Sequence, residues 1–110
     1  MIAYDDFLRV DVRAGTVLAA EPLAGARKPA YLMRIDFGDE IGERRSTAQI
    51  TIRHRAEDLV GTQVCAVVNF PPKRIAGASS EVLVLGMNDA DGAVVLVRPV
   101  FAVPNGARLY

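Results

Sequence analysis

The sequence has only one cysteine, no long apolar run and no excess of charge of either sign, and each absence excludes a class of protein. Its single cysteine, Cys65, cannot form a disulfide within the chain, which is typical of a reducing compartment. No apolar run approaches the roughly 18 residues of a membrane span, so we predict no membrane insertion. The 13 basic and 13 acidic residues give a formal net charge of zero, which argues against a strong sequence-independent grip on polyanions.

The residues that are present fit one small globular chain. The 110 residues are 51% apolar and 24% charged, enough for one good core and too few for two, so we expect a single domain spanning residues 1–110. The first residues carry acids where a signal peptide has a basic segment and an apolar core. We therefore expect the protein to work in the cytoplasm.

No group of residues resembles a catalytic or metal site. Cys65 lies inside the apolar run VCAVV and is predicted to be a small buried side chain. His54 is the only histidine and stands between two arginines, where we expect a surface position or a contact with a polyanion. One cysteine and one histidine cannot assemble a zinc site, and no nucleotide-binding motif is present. We predict no enzyme activity, no metal and no cofactor.

Alternating and continuous apolar runs predict an all-β fold with little helix. Tyr31–Phe37 is the cleanest strand, because its apolar residues share one face. The Val10–Glu21 run is interrupted by Gly15, which marks a bulge or bend. The other predicted elements are strands near Ser46–Ala48, at Val64–Val68, Val82–Leu85 and Val94–Val97, and helical turns at Ala3–Leu8 and near Glu57–Val60. About five short strands indicate a small β-barrel or a sandwich.

The segment between two apolar runs, VCAVV and VLVLG, is the most informative stretch for function. It is crowded with polar, proline and glycine residues, among them Asn69, Lys73, Arg74 and Ser80. A strand pair can hold such a loop rigid, and rigid polar loops are where binding residues concentrate. Lys73 and Arg74 are candidates for ligand contact, because a loop tip has no use for two cations in a core.

Basic residues are grouped along the chain although their sum is balanced. Eight of the 13 occur in four groups: Arg27-Lys28, Arg44-Arg45, Arg53 with Arg55, and Lys73-Arg74. If the fold gathers these groups on one face, a neutral protein can carry a local positive patch. Otherwise they are solvated loop residues.

Several segments together resemble the tRNA-binding domain family, an OB-fold group found as free-standing proteins and as appendages of tRNA synthetases. These segments are VDVRAGTVLAAEPL, ARKPAYLMRIDFG, STAQIT, VVNFPPKRIAGASSEVLVLG and VPNGARL, and they run through nearly the whole chain. Within the family, the pattern is most similar to a group of small protein-export chaperones. The resemblance implies a five-stranded Greek-key OB-fold barrel with short helical turns and terminal extensions, and a symmetric homodimer built partly from those extensions.

The same resemblance implies ligand-binding positions in the loop. Asn69, Lys73 and Ser80 occupy the places of an asparagine, a basic residue and a serine of the RNA site. From the residues alone, Asn69 can also tie the loop to backbone groups, and Ser80 can be a hydroxyl at a strand start. Two departures follow the chaperone pattern: Val82-Leu83 replaces a Gly-Met pair, and the expected basic residue before a Leu-Tyr pair is absent at Pro29-Ala30-Tyr31.

Two functions follow as hypotheses. The first is a dimeric, ATP-independent chaperone that binds unfolded or precursor polypeptides in support of protein export. The alternative is structure-specific binding of tRNA through the basic loops of the OB fold, with hydrogen bonds from Asn69 and Ser80 and aromatic stacking by Phe70. The cations predicted to contact phosphates are Arg44, Arg45, Arg53, Arg55, Lys73 and Arg74.

Overall fold

Short strands make up most of the regular structure. A computed structural model describes all 110 residues, from Met1 to Tyr110. The helices are α1 (Tyr4–Leu8), α2 (Gly38–Ile41) and α3 (Ala56–Leu59). The strands are β1 (Val12–Pro22), β2 (Tyr31–Asp36), β3 (Glu43–Ala48), β4 (Gln63–Val67), β5 (Lys73–Ile75), β6 (Ala78–Ser80), β7 (Leu83–Val84), β8 (Gly86–Asn88) and β9 (Val94–Leu96).

Five of these strands form an antiparallel sheet in the order β3-β2-β1-β4-β7, which curls into a nearly closed barrel. The segment from β6 to β7 lies against β3 and brings the two ends of the sheet together. There the Glu81 N–H donates to the Arg45 carbonyl at 2.7 Å, and the Arg45 N–H donates to the Glu81 carboxylate at 2.9 Å. The predicted OB-fold barrel is confirmed.

The barrel interior is filled mainly from β2. Met33, Ile35 and Phe37 are completely buried, as the alternation along this strand predicts. They pack with Val17 and Val64 in the main apolar cluster. Burial of large apolar side chains is the dominant favourable term in folding, so this cluster is the principal source of stability.

Strand β4 is buried on both faces, which explains its uninterrupted apolar sequence. Val64 and Ala66 face the main cluster, whereas Cys65 and Val67 pack with Val12 in a second, smaller one. Cys65 is 6% exposed, so the prediction of a small buried side chain is confirmed, and burial raises the pKa of its thiol.

The irregularity in β1 lies three residues beyond the predicted position. Val17 pairs with Ile35 and Ala19 pairs with Arg34, so Leu18 is the extra residue of the bulge. Gly15 serves packing instead, because a Cβ there would lie 2.7 Å from side-chain atoms of both Ile35 and Phe37. The glycine therefore interrupts the apolar pattern because the packing leaves no room for a side chain.

The loop after β4 contains a hairpin that the sequence pattern does not predict. Strands β5 and β6 pair antiparallel, from Lys73 opposite Ser80 to Ile75 opposite Ala78. Ala76 and Gly77 form the turn with φ of 49° and 80°, the two positive values of a type I′ turn. This hairpin gives the polar loop its rigid shape.

The strand predicted at Val82–Leu85 is divided between two sheets. Leu83 and Val84 complete the barrel beside β4, and the chain then enters the separate β8–β9 hairpin. The sequence NDADG at 88–92 forms the turn of that hairpin, as its composition predicts.

Both terminal segments return to the barrel. The predicted helical turn near the N-terminus is present as α1, and the C-terminal segment is fastened by Asn105, whose side-chain oxygen accepts hydrogen bonds from Thr16 at 2.8 Å and Gln63 at 3.1 Å. None of the three helices is long and apolar enough to cross a membrane.

Candidate ligand-binding groove

Two adjoining cavities lie between the β1–β2 loop and the long loop that joins β4 to β7. Their volumes are about 530 and 460 Å³, and Thr47 and Ile75 line both. We call the combined cavity the loop groove. An OB fold characteristically binds its ligands on the β2–β3 face between these two loops. The lining residues are Gly25, Ala26, Arg27, Lys28, Ala30, Thr47, Ala48, Gln49, Phe70, Pro71, Pro72, Lys73, Ile75, Ala76, Ser80, Glu81, Val82 and Leu83.

The floor of the loop groove is apolar and open to solvent. The exposed fractions are 50% for Phe70, 42% for Ile75 and 51% for Leu83. Pro71 and Pro72 lie beside them. Exposed apolar surface in a concave site is typical of ligand binding, because its burial by a partner is favourable.

Three cations stand at the edges of this floor. Arg27 and Lys28 come from the β1–β2 loop, and Lys73 begins β5 on the other side. None of them forms an ion pair with a carboxylate of the chain. Their charge is therefore available to a ligand, and the lining of the loop groove holds three cations against one carboxylate, that of Glu81, although the chain as a whole is neutral.

Ser80 connects the two sides of the barrel seam. Its hydroxyl oxygen accepts the Thr47 N–H at 3.1 Å, which places Ser80 in the loop groove next to the one residue of β3 that lines both cavities. Since a hydroxyl can accept and donate at once, the Ser80 O–H remains free to donate to a ligand.

Asn69 lies just outside the loop groove, and its side-chain amide is hydrogen-bonded to the backbone of the N-terminal segment. Its amide nitrogen donates to the Arg9 carbonyl at 2.8 Å, and its amide oxygen accepts the Asp11 N–H at 3.0 Å. Of the two roles that the sequence left open, these contacts favour the tie to backbone groups.

The neighbouring basic residues have different surroundings. Arg74 is exposed and donates to the Gly77 carbonyl at 2.8 Å across its own hairpin. Arg45 is exposed two residues before Thr47 on β3, and side chains two apart share a face of a strand. Arg44 points to the opposite face and donates to the Glu43 carbonyl at 3.2 Å. Arg45 therefore extends the positive charge along the outer face of β3.

Arg53 and Arg55 lie away from the loop groove and have acidic partners. Arg53 bonds Asp89 at 2.6 Å and Asp91 at 2.9 Å, which raises the pKa of Arg53 and lowers that of Asp89. Arg55 pairs with Glu57. Both arginines line a separate cavity of about 130 Å³. The structure thus divides the predicted cations between two regions of the surface.

His54 has a structural role. Its Nε2 accepts the Leu96 N–H at 3.2 Å, and its carbonyl accepts the Tyr31 hydroxyl at 2.8 Å. Burial, together with the charge of Arg98, lowers the pKa of His54. His54 is half-buried beside β9 and lines the small cavity next to Arg53 and Arg55, so the expected surface position is met only in part and the expected polyanion contact stays a prediction.

Sequence reasoning missed most positions of the loop groove, among them Arg27, Lys28, Thr47, Ile75 and Leu83. The Arg27-Lys28 pair was visible as a basic group, but its place in the loop groove depends on two loops that meet only in the folded barrel. Thr47 and Ile75 carry no signal in the sequence that separates them from other strand residues.

The family assignment rests on the length of the match. Residues 12–108 match the model of the putative tRNA-binding domain family. The chain belongs to this family. The domain also occurs as a part of longer proteins. The methionine–tRNA ligase of Porphyromonas gingivalis strain ATCC 33277 is 38% identical over 108 residues, which are 98% of this chain and 15% of the ligase. The chain therefore spans about 15% of the length of that curated relative.

Solved structures of the family are similar over the whole chain. The chaperone CsaA from Bacillus anthracis is 53% identical with a TM-score of 0.93, and the match covers 100% of this chain and 99% of that one. The CsaA chaperone from Picrophilus torridus is 44% identical with a TM-score of 0.92, and the match covers all of both chains. The resemblance to the chaperone group of this tRNA-binding domain family is thereby confirmed.

The side chains of the domain form no recognisable metal centre. No group of three or more histidine, cysteine, aspartate or glutamate side chains is placed to hold a metal ion. The family to which the chain belongs is a tRNA-binding and chaperone domain. The loop groove offers a ligand both exposed apolar surface and cations without carboxylate partners.

Proposed function

We propose that this protein is an ATP-independent chaperone that works as a homodimer in the cytoplasm, where it holds unfolded or precursor polypeptides in support of protein export. The observation that carries the proposal is the apolar floor of the loop groove. Phe70, Ile75 and Leu83 expose 42 to 51% of their surface there, side by side with two prolines. Full-length similarity to two CsaA chaperones supports the same function.

The floor suits an extended polypeptide. Apolar side chains of an unfolded segment gain free energy when they cover Phe70 and Ile75, at about 25 cal/mol per Å² of apolar surface buried. Thr47 and Ser80 offer polar groups at the centre of the groove for the peptide backbone. Holding a client in this way requires no nucleotide, because association and release depend only on the client's concentration and folding.

The homodimer is supported by apolar surface outside the loop groove. Val100 is 90% exposed, Phe101 83% and Tyr110 98%, and all three belong to the C-terminal segment. Several large apolar side chains exposed in one segment are typical of a protein interface. A second copy of the chain would cover it and leave the loop groove of each protomer open.

A light-scattering assay of client aggregation tests the chaperone function. Stoichiometric protein should suppress the aggregation of a chemically unfolded client, and the variant F70D should lose most of this effect, since a carboxylate on the floor opposes burial. The matched control is I52D, because Ile52 is 77% exposed and does not line the loop groove. Full suppression by F70D would remove the loop groove from the client site.

We propose tRNA binding as the second candidate function, on the strength of the free cations. Arg27, Lys28 and Lys73 line the loop groove without carboxylate partners, and Arg45 extends their charge along β3. Cations in this state can neutralise phosphates and release counterions. The family description and the similarity to a methionine–tRNA ligase also support this function.

Salt dependence of tRNA binding separates the two groups of cations. On the second proposal, affinity for folded tRNA falls steeply with salt, and K73Q/R74Q flattens the slope of log affinity against log salt by about one unit for each phosphate that is no longer neutralised. The control R53Q/R55Q removes the same charge from residues that already have acidic partners. A larger effect of the control than of K73Q/R74Q would move the tRNA site to the α3 side.

A further inference from the structure

Both ends of the Asn69 side-chain amide form hydrogen bonds to a backbone segment about 60 positions earlier in the sequence. The amide N–H₂ donates to the Arg9 carbonyl at 2.8 Å, and the amide oxygen accepts the Asp11 N–H at 3.0 Å. Each end of the amide therefore already has a backbone partner, with one N–H and one oxygen lone pair still unused. The side chain thus has a role that does not depend on ligand.

The segment that Asn69 binds is fixed by further hydrogen bonds and ion pairs. The Val68 N–H donates to the Asp11 carbonyl at 2.9 Å, directly beside the Asn69 contact. The Asp11 carboxylate bonds Arg13 at 2.6 Å and lies 3.5 Å from Arg108. Asn69 therefore ties the loop to a fixed point of the barrel.

The loop groove begins immediately after this tie. Phe70 follows Asn69 and forms part of the apolar floor, and Pro71 and Pro72 come next. Proline fixes its own φ and restricts the residue before it, so the segment 70–72 has few conformations of its own. The direction of the backbone at Asn69 therefore determines where the Phe70 side chain lies.

We propose that Asn69 is a positioning residue of the loop groove. It fixes the direction in which the chain leaves β4 and so holds Phe70 on the floor, without touching the ligand. The proposal deepens the proposed function and rests on it for the affinity effect, whereas the effect on the position of Phe70 is independent of any ligand.

A spectroscopic experiment tests the positioning without a ligand. The chain has no tryptophan, so F70W introduces a single tryptophan on the floor, which can be excited selectively over the three tyrosines. Adding N69A should increase acrylamide quenching of Trp fluorescence and lower its anisotropy. The control is N88A in the same background, since the Asn88 amide also donates to a backbone carbonyl, that of Gly92 at 2.8 Å, in the separate β8–β9 hairpin. Equal quenching in the N69A and N88A proteins would overturn the proposal.

A double-mutant cycle tests the consequence for binding, with fluorescein-labelled, reduced and alkylated lactalbumin as the unfolded probe. N69A should weaken binding roughly three- to tenfold, the cost of ordering a freed loop side chain. In the F70A background, N69A should weaken binding by less than about twofold, because Asn69 acts through Phe70. Full additivity would contradict the proposal.

The variant N69D distinguishes a loss of positioning from a loss of folding. It keeps an oxygen for the Asp11 N–H, loses the donor to the Arg9 carbonyl and places a carboxylate oxygen against that carbonyl, so it should weaken binding in the same direction with the barrel intact by circular dichroism. Affinity equal to that of the unmodified protein would overturn the proposal. If F70A itself left binding unchanged, the proposed site would fail, while the quenching experiment would still decide the role of Asn69.

Discussion

Single polar residues in this protein hold backbone groups that no strand ladder satisfies. His54 accepts the Leu96 N–H, Asn69 binds the N-terminal segment, and Ser80 accepts the Thr47 N–H across the barrel seam. A partly buried N–H without an acceptor would cost about 1–3 kcal/mol, so each of these side chains is a local determinant of stability. In the sequence, the same residues look like candidates for ligand contact.

His54 makes the stability of the fold depend on pH. Because burial lowers its pKa in the folded protein, the folded state binds fewer protons than the unfolded chain, whose histidine titrates near 6.5. The free energy of unfolding should be fully retained above about pH 6.5 and should decrease as the pH falls below it. Urea denaturation at several values between about pH 7.5 and about pH 5.5 measures this decrease.

The variant H54Q provides the comparison. The chain has no second histidine, so the variant should be less stable at neutral pH and should show a much flatter profile over the same range. A profile as steep as that of the unmodified protein would assign the pH dependence to another group.

At the scale of elements, side chains complete the closure of the barrel. The seam between β3 and the β6–β7 segment depends on the carboxylate of Glu81, the hydroxyl of Ser80 and the hydroxyl of Ser46, which donates to the Val82 carbonyl at 3.1 Å. The seam is also one wall of the loop groove. Its stability and the shape of the candidate site are therefore linked.

Removal of the Ser80 hydroxyl should weaken this seam. In S80A the Thr47 N–H loses its acceptor, and the free energy of unfolding should fall by about 1–2 kcal/mol. S79A is the matched control, because the neighbouring hydroxyl on β6 makes no hydrogen bond, and it should change stability by less than about 0.5 kcal/mol. Denaturant melts measure both, and equal losses would contradict the role given to Ser80.

The main barrel strands could be predicted from the sequence because they follow simple rules. β2 alternates cleanly, and β4 is continuously apolar because both of its faces are buried. The β5–β6 hairpin could not be predicted, since all three residues of β5 are exposed and its turn is Ala76-Gly77 in place of the usual Asn-Gly.

The candidate site could be predicted only in part. The loop residues Phe70, Lys73 and Ser80 lie in one short stretch of sequence and could be recognised together. Arg27 and Lys28 join them because the antiparallel order of the sheet brings two distant loops to one end of the barrel. Single-residue patterns carry no information on such pairings, or on which arginines find acidic partners.

At the scale of the whole molecule, the apolar terminal surface and the loop groove are two separate features. The proposed homodimer predicts a mass by light scattering of twice the 11.9 kDa of one chain. F101D should shift the protein toward the monomer, because Phe101 is 83% exposed on the terminal surface, whereas the control I52D should remain dimeric. A monomeric mass for the unmodified protein at micromolar concentration would contradict the proposed dimer.

The most direct test of the central proposal is a map of amide chemical-shift changes in ¹⁵N-labelled protein on titration with an unfolded, apolar peptide. The account predicts that the largest changes occur in the loop groove, at Thr47, Phe70 and Ile75, with little change in the β8–β9 hairpin. Changes confined to that hairpin or to the terminal surface would contradict the assignment of polypeptide binding to the loop groove.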